Sequence, residues 1–211
     1  MDLFDSFAAG LSPLPGGRSA ESFLAQAADE VSVVRLCVRP DRRGAEGYAI
    51  EVALMTLLRG IVPVPEVREV RRPVGEMPPL VVTSFLPGER LDDLLPLLDS
   101  DAQHRVGTLV GAVLARLAGV AMLRAGEFRD SELAIAPFPP GERTAGRAVL
   151  VHGDLTAARL LVDPVGLRIT GVLDWEAAHA GSPGDDLATV LDWAPRSLAD
   201  AARTAYDGVW G

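Results

Sequence analysis

Short apolar runs broken by turn residues dominate the first ninety residues of the chain, and helical spacing of apolar positions dominates from Leu91 onward. Ser22 to Ala28 and Val31 to Val38 read as two strands meeting at Asp29 and Glu30, an antiparallel hairpin. A turn-rich loop over residues 11–20, with Gly16 and Gly17, precedes them. Ala45 to Gly60 sets Tyr48, Val52, Met55 and Leu58 at helical spacing and closes on a glycine. Residues 66–72 and 79–85 give two more strands around a Pro/Gly-rich turn. Helices over 91–97 and 101–125 follow, then a loop-rich stretch, 126–147, holding Pro137, Pro139, Pro140 and Gly141. Ala148 to Val151 reads as a strand, and Arg159 to Val162 and Leu167 to Val172 as a hairpin around Pro164 and Gly166. Ser182 to Asp186 should cap a helix running through Leu187 to Trp193, and an amphipathic helix covers Ser197 to Val209. The change of pattern sets a boundary near residue 88.

The hydrophobic fraction, 48% of 211 residues, is enough for a sizeable core in one large domain or two small lobes. Val106 to Leu123 is the longest apolar stretch and approaches the length of a membrane span. Arg116 lies inside it and Arg105 and Arg124 bracket it, so it reads as a buried helix. A net charge of −9 argues against nucleic acid or an anionic membrane surface as partner. Residues 91–211 carry 17 acids against 10 arginines, a balance that would attract a cationic small molecule or serve solubility alone. All 20 basic residues are arginine, so any clamp on an anionic ligand must be a guanidinium. Cys37 is the only cysteine, which excludes an intrachain disulfide and points to a reducing, cytoplasmic compartment. The N-terminus, with Asp2 and Asp5, lacks the basic and apolar regions of a signal peptide.

The densest chemistry lies in VHGDLTAARLLVDPVGLRITGVLDWE, residues 151–176. Asp154 follows His152 and Gly153 in a loop, and Asp174 ends the apolar strand Ile169 to Leu173. Folding the hairpin back brings the two carboxylates together. Phosphoryl transfer needs such a pair: one carboxylate to orient and deprotonate an attacking hydroxyl, the other to hold the magnesium that bridges the nucleotide phosphates. The same letters are compatible with a fragment of a metal hydrolase, or with a hairpin whose ends carry solvated acids. Only His104, His152 and His179 could serve a hydrolase as imidazole ligands.

HGDL, LLVD, ITGVLDWE and GSPGDDLA fall in the order found in the aminoglycoside phosphotransferase and choline kinase-like superfamily, and residues 149–190 resemble its catalytic core. The resemblance implies an α+β, two-lobed protein kinase-like fold. Its N-lobe (1–88) would bind nucleotide with an antiparallel β-sheet and one helix, and its C-lobe (89–211) would be mainly α-helical with a catalytic β-hairpin. PLPGGRSAESF is similar to the loop covering the ATP phosphates, which implicates Gly16, Gly17 and Ser19. Arg35, on the second strand, takes the place of the phosphate-contacting cation. EVALMTLLRGIVPVPEV matches the helix whose glutamate pairs with that cation, so Glu51 is the expected partner and Glu46 the alternative. Thr83, Ser84, Phe85 and Leu86 lead into LeuProGlyGluArgLeu, similar to the hinge that meets the nucleobase. The resemblance makes Asp154 the catalytic acid, Asp174 the magnesium ligand and His152 a brace for the catalytic loop. Asp186 becomes a structural anchor and Glu176 a supporting or solvated carboxylate. The implied cofactors are ATP or GTP and Mg2+, and the implied reaction is transfer of the γ-phosphoryl group to a hydroxyl of a cationic acceptor, an activity associated with antibiotic resistance. Family members commonly continue for several more helices that wall the acceptor pocket, so this chain reads as a short version. An apolar C-terminal face would imply a homodimer.

Arg159 departs from the pattern. Kinases carry at this place, five residues after the catalytic Asp, an Asn that binds a second magnesium. A guanidinium there would either repel the metal and pair with Asp154 or Asp174, giving a pseudokinase with a binding or regulatory role, or stand in for one cation in a working kinase.

Overall fold

The computed structural model describes residues 10–14, 20–27, 30–139 and 146–210. Its N-terminal part is one antiparallel sheet built from β1 (Leu11–Leu14), β2 (Glu21–Ala27), β3 (Glu30–Leu36), β4 (Val67–Arg71) and β5 (Leu80–Ser84) in the order β1-β2-β3-β5-β4. Helix α1 (Gly47–Leu58) crosses between β3 and β4. The segment expected as loop over 11–20 is in its first part a strand, because residues 11–14 pair with Ser22 to Ala25. Pro13 sits in that strand without disrupting it, since β1 is an edge strand and needs no donor on its open side.

Beyond the sheet, β6 (Glu89–Arg90) leads into the short helix α2 (Leu91–Leu94) and then into α3 (Ser100–Gly119). Asp99 caps α3 by accepting the Ala102 N–H at 2.8 Å. The helix ends six residues before the expected residue 125. The apolar residues after Gly119 are used differently: Val120 and Met122 exchange backbone hydrogen bonds with Leu150 and Ala148, so this stretch runs extended beside β9 (Val149–Val151). Val106, Val110, Val113, Leu114 and Leu117 form the buried face of α3, and no helix among the described residues is long and apolar enough to cross a membrane.

The stretch expected to be loop over 126–147 contains a small hairpin, β7 (Gly126–Phe128) and β8 (Ile135–Pro137). It joins β9 and β12 (His179–Gly181) in a sheet of order β8-β7-β12-β9. The hairpin of β10 (Leu160–Val162) and β11 (Ile169–Val172) forms where the turn residues predict it and takes β6 on its open edge. Arg159, expected to begin that hairpin, instead closes a 3-10 turn over Ala157–Arg159. Helices α4 (Asp185–Trp193) and α5 (Arg196–Trp210) complete the chain. Ser182 does not cap α4 with its side chain; its backbone N–H donates to Asp185 Oδ2 at 3.0 Å, and Gly184 occupies the cap position.

One large core runs through most of the molecule. Ile50, Leu54 and Leu58 of α1 pack into the same cluster as Leu91, the α3 valines, β9, Leu155, Leu160, Val172 and Trp175. A second, smaller cluster of Ala25, Val34, Leu80 and Val82 lies within the five-stranded sheet. Helix α5 lies against α3 through Leu198, Ala201, Ala202 and Tyr206. The approach is close enough that a Cβ on Gly107 would fall 2.3 Å from the Leu198 carbonyl oxygen. Gly107→Ala is therefore expected to destabilise the fold by about 1–3 kcal/mol, the usual cost of overpacking. An unchanged thermal midpoint would show that the two helices can separate freely.

Candidate active site

The loop after β9 carries His152, Gly153 and Asp154, and β11 delivers Asp174 opposite it. His152 is wholly buried. Its Nε2 lies 3.0 Å from the Leu173 carbonyl and its Nδ1 faces the Asp154 N–H at 3.3 Å. With Nε2–H donating and Nδ1 accepting, the imidazole ties the backbone at Asp154 to the residue before Asp174. The ring also packs on Trp175, 4.6 Å between centroids. Gly153 has φ of +81°, and a Cβ there would stand 2.4 Å from the Ala177 carbonyl oxygen, so the loop and the turn after Asp174 touch where only glycine fits.

Asp186 fixes the loop from below. Its Oδ2 accepts the His152 N–H at 2.7 Å and its Oδ1 the Gly153 N–H at 2.9 Å. Burial pushes this carboxyl above the ordinary aspartate range, while His152 and the two N–H groups pull it back down. The anchoring role implied for Asp186 has thus a definite geometry, in the loop and not at the helix cap.

Asp174 itself has φ of 66° and ψ of 77°, a left-handed conformation that non-glycine residues rarely take. Trp175 to Ala177 then form a 3-10 turn, and the Trp175 N–H reaches the Glu51 carboxylate. Glu51 Oε1 in turn accepts from Arg35 Nη1 at 2.8 Å, which is the ion pair expected between β3 and the helix. Glu46 stands at the start of α1 and is not the partner. The Glu51 charge raises the guanidinium of Arg35 above its ordinary value. Burial alone would push Glu51 up, but the Arg35 charge and hydrogen bond, with Arg43 and the Trp175 N–H, hold it below the ordinary carboxylate range. A depressed folded value means that stabilisation by this pair is present above the ordinary glutamate value of 4.5 and is lost as pH falls through the lower folded value. Glu51→Gln should flatten the fall of the urea midpoint between about pH 6 and 3. A variant retaining the full acid dependence would place that dependence in other carboxylates.

Arg159 lies between the two acids. Its Nη2 is 2.8 Å from Asp174 Oδ2 and 3.2 Å from Asp154 Oδ2. The three side chains are partly open to solvent, at 33% for Arg159, 27% for Asp174 and 47% for Asp154. The Arg159 backbone is pinned as well: its carbonyl accepts the Leu173 N–H at 2.8 Å and its N–H donates to Thr156 at 3.0 Å.

At the end of β5, Thr83 is buried, Phe85 is 42% exposed and Leu86 lies against Gly171 of β11. The Ser84 N–H donates to Glu66 and its hydroxyl accepts the Glu66 N–H, while the Phe85 N–H donates to Val31. These two residues therefore spend their N–H groups inside the sheet. Gly16, Gly17 and Ser19 lie outside the described residues. Sequence reasoning missed Arg42, whose guanidinium donates to the carbonyls of Glu176 (3.0 Å) and Ala177 (2.9 Å) and to the Glu127 carboxylate. Its only signal was an arginine pair in a loop.

Magnesium can be tested against this donor set. Asp174 offers one partly exposed carboxylate, which suits an ion that takes its other ligands from phosphates and water. No group of three or more His, Cys, Asp or Glu able to hold a metal occurs among the described residues. Beside Asp154 and Asp174 stands the Arg159 guanidinium, which offers a metal ion no acceptor atom.

The model of the phosphotransferase enzyme family matches residues 10–143 and 124–211. The chain belongs to that family. No curated protein matches it in sequence. Among solved structures it is similar to a thermostable mutant of aminoglycoside phosphotransferase APH(4)-Ia in ternary complex with ADP and hygromycin B, at 16% identity and a TM-score of 0.70, over 98% of this chain and 80% of that one. It is also similar to APH(2")-IIia in complex with GDP and kanamycin, at 18% identity and a TM-score of 0.72, over 96% of this chain and 78% of that one. At these identities the likeness establishes the fold, and this phosphotransferase-family chain has the two-lobed, kinase-like architecture that the sequence implied.

Proposed function

We propose that the chain is a small-molecule kinase that transfers the γ-phosphoryl group of ATP or GTP to a hydroxyl of a cationic acceptor. The observation that carries this reading is the convergence of Asp154 and Asp174 at the open end of β9 and the hairpin, where Arg159 touches both. Membership of a phosphotransferase family supports the reaction class. Structural neighbours bound to ADP or GDP, and to hygromycin B or kanamycin, support a nucleotide and an amino sugar as the ligand types to try first.

In this reading Asp154 orients the acceptor hydroxyl and takes its proton as the oxygen bonds to the γ-phosphorus. The bond from that phosphorus to the β-γ bridging oxygen breaks, and the nucleoside diphosphate leaves. His152 and Asp186 set the direction of Asp154 by fixing the backbone on either side of it. Arg35 presents a positive charge toward the phosphates and is held in place by Glu51. Asp174 would hold magnesium, which when bound supplies neutralisation of the nucleotide phosphates. The boundary near residue 88 would separate the nucleotide-holding lobe from the catalytic one, with the base near Thr83 to Leu86.

Incubation with magnesium, ATP or GTP and a panel of aminoglycosides and simpler amino alcohols should give a product heavier by one phosphoryl group. Absence of product with every acceptor, together with absence of nucleotide binding, would overturn the reading. Nucleotide binding without turnover would favour the alternative, a catalytically impaired binding or regulatory protein, which the contact of Arg159 with both acids makes specific.

A further inference from the structure

We propose that Arg159 is a tethered cation occupying the second cation position of this site, so that the chain takes a nucleoside triphosphate with a single divalent ion. The inference deepens the kinase reading and rests on it for the nucleotide. The arrangement of Arg159 and the two acids stands without it.

Three observations converge on the guanidinium. First, its Nη2 is shared between the Oδ2 atoms of Asp154 and Asp174, at 3.2 and 2.8 Å, so it bridges the acids as a cation between them would. Second, it is not a loose surface arm. Leu160, the next residue, is wholly buried, and the backbone of Arg159 bonds to both Thr156 and Leu173, the latter one residue before Asp174. Its Nε is buried as well and has no hydrogen-bond partner. The backbone thus fixes where the side chain starts, and its contacts with both acids set where the guanidinium ends. Third, the chemistry of the side chain excludes the role of the residue that usually stands here. A guanidinium has five donors, no acceptor atom and a charge that does not titrate away, so it cannot ligate a metal as the carbonyl of an asparagine can.

Charge counting gives the same answer. Two carboxylates and one guanidinium leave a single negative charge, half of what the acids alone would offer to a pair of divalent ions. A second ion would meet a fixed positive charge and lack a ligand. Arg159 engages Asp174 through Oδ2, so an ion approaching the same carboxylate has the other oxygen available.

Mn2+ provides a paramagnetic probe that reads ion number and affinity without turnover. With the non-hydrolysable nucleotide AMP-PNP present, wild-type protein should bind one Mn2+ ion per chain and Arg159→Asn two. Without nucleotide, Arg159→Asn should bind Mn2+ about tenfold more tightly than wild type, because two neighbouring carboxylates are left without a counter-charge. Arg159→Lys, which keeps the charge, should stay with wild type in both respects. Two ions per wild-type chain would overturn the proposal, as would Mn2+ affinity and ion number unchanged in Arg159→Asn. Failure of both AMP-PNP and its guanosine counterpart to bind to any of the proteins would sink the kinase reading, while the nucleotide-free comparison would still decide whether Arg159 holds the cation position.

Discussion

Asp154→Ala is expected to lower kcat for phosphoryl transfer by about a thousandfold, within the range that a positioned general base contributes, and to leave nucleotide affinity nearly unchanged. The structure makes this a clean substitution. Everything that shapes the loop around Asp154 acts on backbone atoms: Asp186 holds the N–H groups of His152 and Gly153, and the His152 ring meets the N–H of Asp154 itself. Among the described residues the side chain on the Asp154 carboxylate is Arg159, which keeps Asp174 as a partner after the change. Loss of activity therefore cannot be assigned to collapse of the loop. Single-turnover measurement separates the chemical step from binding. A variant with normal kcat and weakened nucleotide binding would move Asp154 from the chemistry to the ligand cradle.

The largest stability effect is expected at Asp186. Alanine there leaves the buried His152 N–H without an acceptor, at a cost of about 1–3 kcal/mol, and the part-buried Gly153 N–H without one at a smaller cost. A total near 3 kcal/mol corresponds, for a chain of this size, to a thermal midpoint lower by roughly 6–12 °C. Asp186→Asn keeps one acceptor oxygen and should lose about half as much. If both variants melt with the wild type, the loop is held by other contacts and the two short hydrogen bonds are incidental. Asp186→Asn is also informative in assays at low temperature, where the fold is intact: a kcat lower than wild type at unchanged KM would report displacement of Asp154 within a folded protein.

What could be read from the sequence followed the strength of local signals. Asp154 and Asp174 were legible because the Pro164 and Gly166 turn forces the strands between them to return. That Arg35 needs a partner was legible because it is a charge flanked by Val34 and Leu36 on a strand, and the choice of Glu51 over Glu46 came from the family resemblance. Strands β7, β8 and β12 have three residues each, too few for a period of two to declare itself, and they exist because they pair with β9 and with each other. The end of α3 was misplaced for the opposite reason. The apolar run continues past Gly119 without a break, and only the pairing of Val120 to Met122 with Ala148 to Leu150 makes it extended. Asp186 reads from its neighbours as either a helix cap or a loop anchor, and its acceptor oxygens decide for the anchor, serving a loop 33 and 34 residues earlier. Contacts of that range leave no local trace.

Helix α1 gives the architecture a different kind of consequence. It belongs by sequence to the part of the chain that carries the sheet, yet Ile50, Leu54 and Leu58 are fully buried in the cluster that also contains α3, β9 and Trp175. Here Glu51 holds Arg35 on one side and the Trp175 N–H on the other, on a helix whose apolar face is continuous with the main core. The amides of α1 should therefore open to solvent exchange only with the unfolding of the whole cluster. Arg35, paired with Glu51 on a helix rooted in the main core, is a fixed strut of this protein.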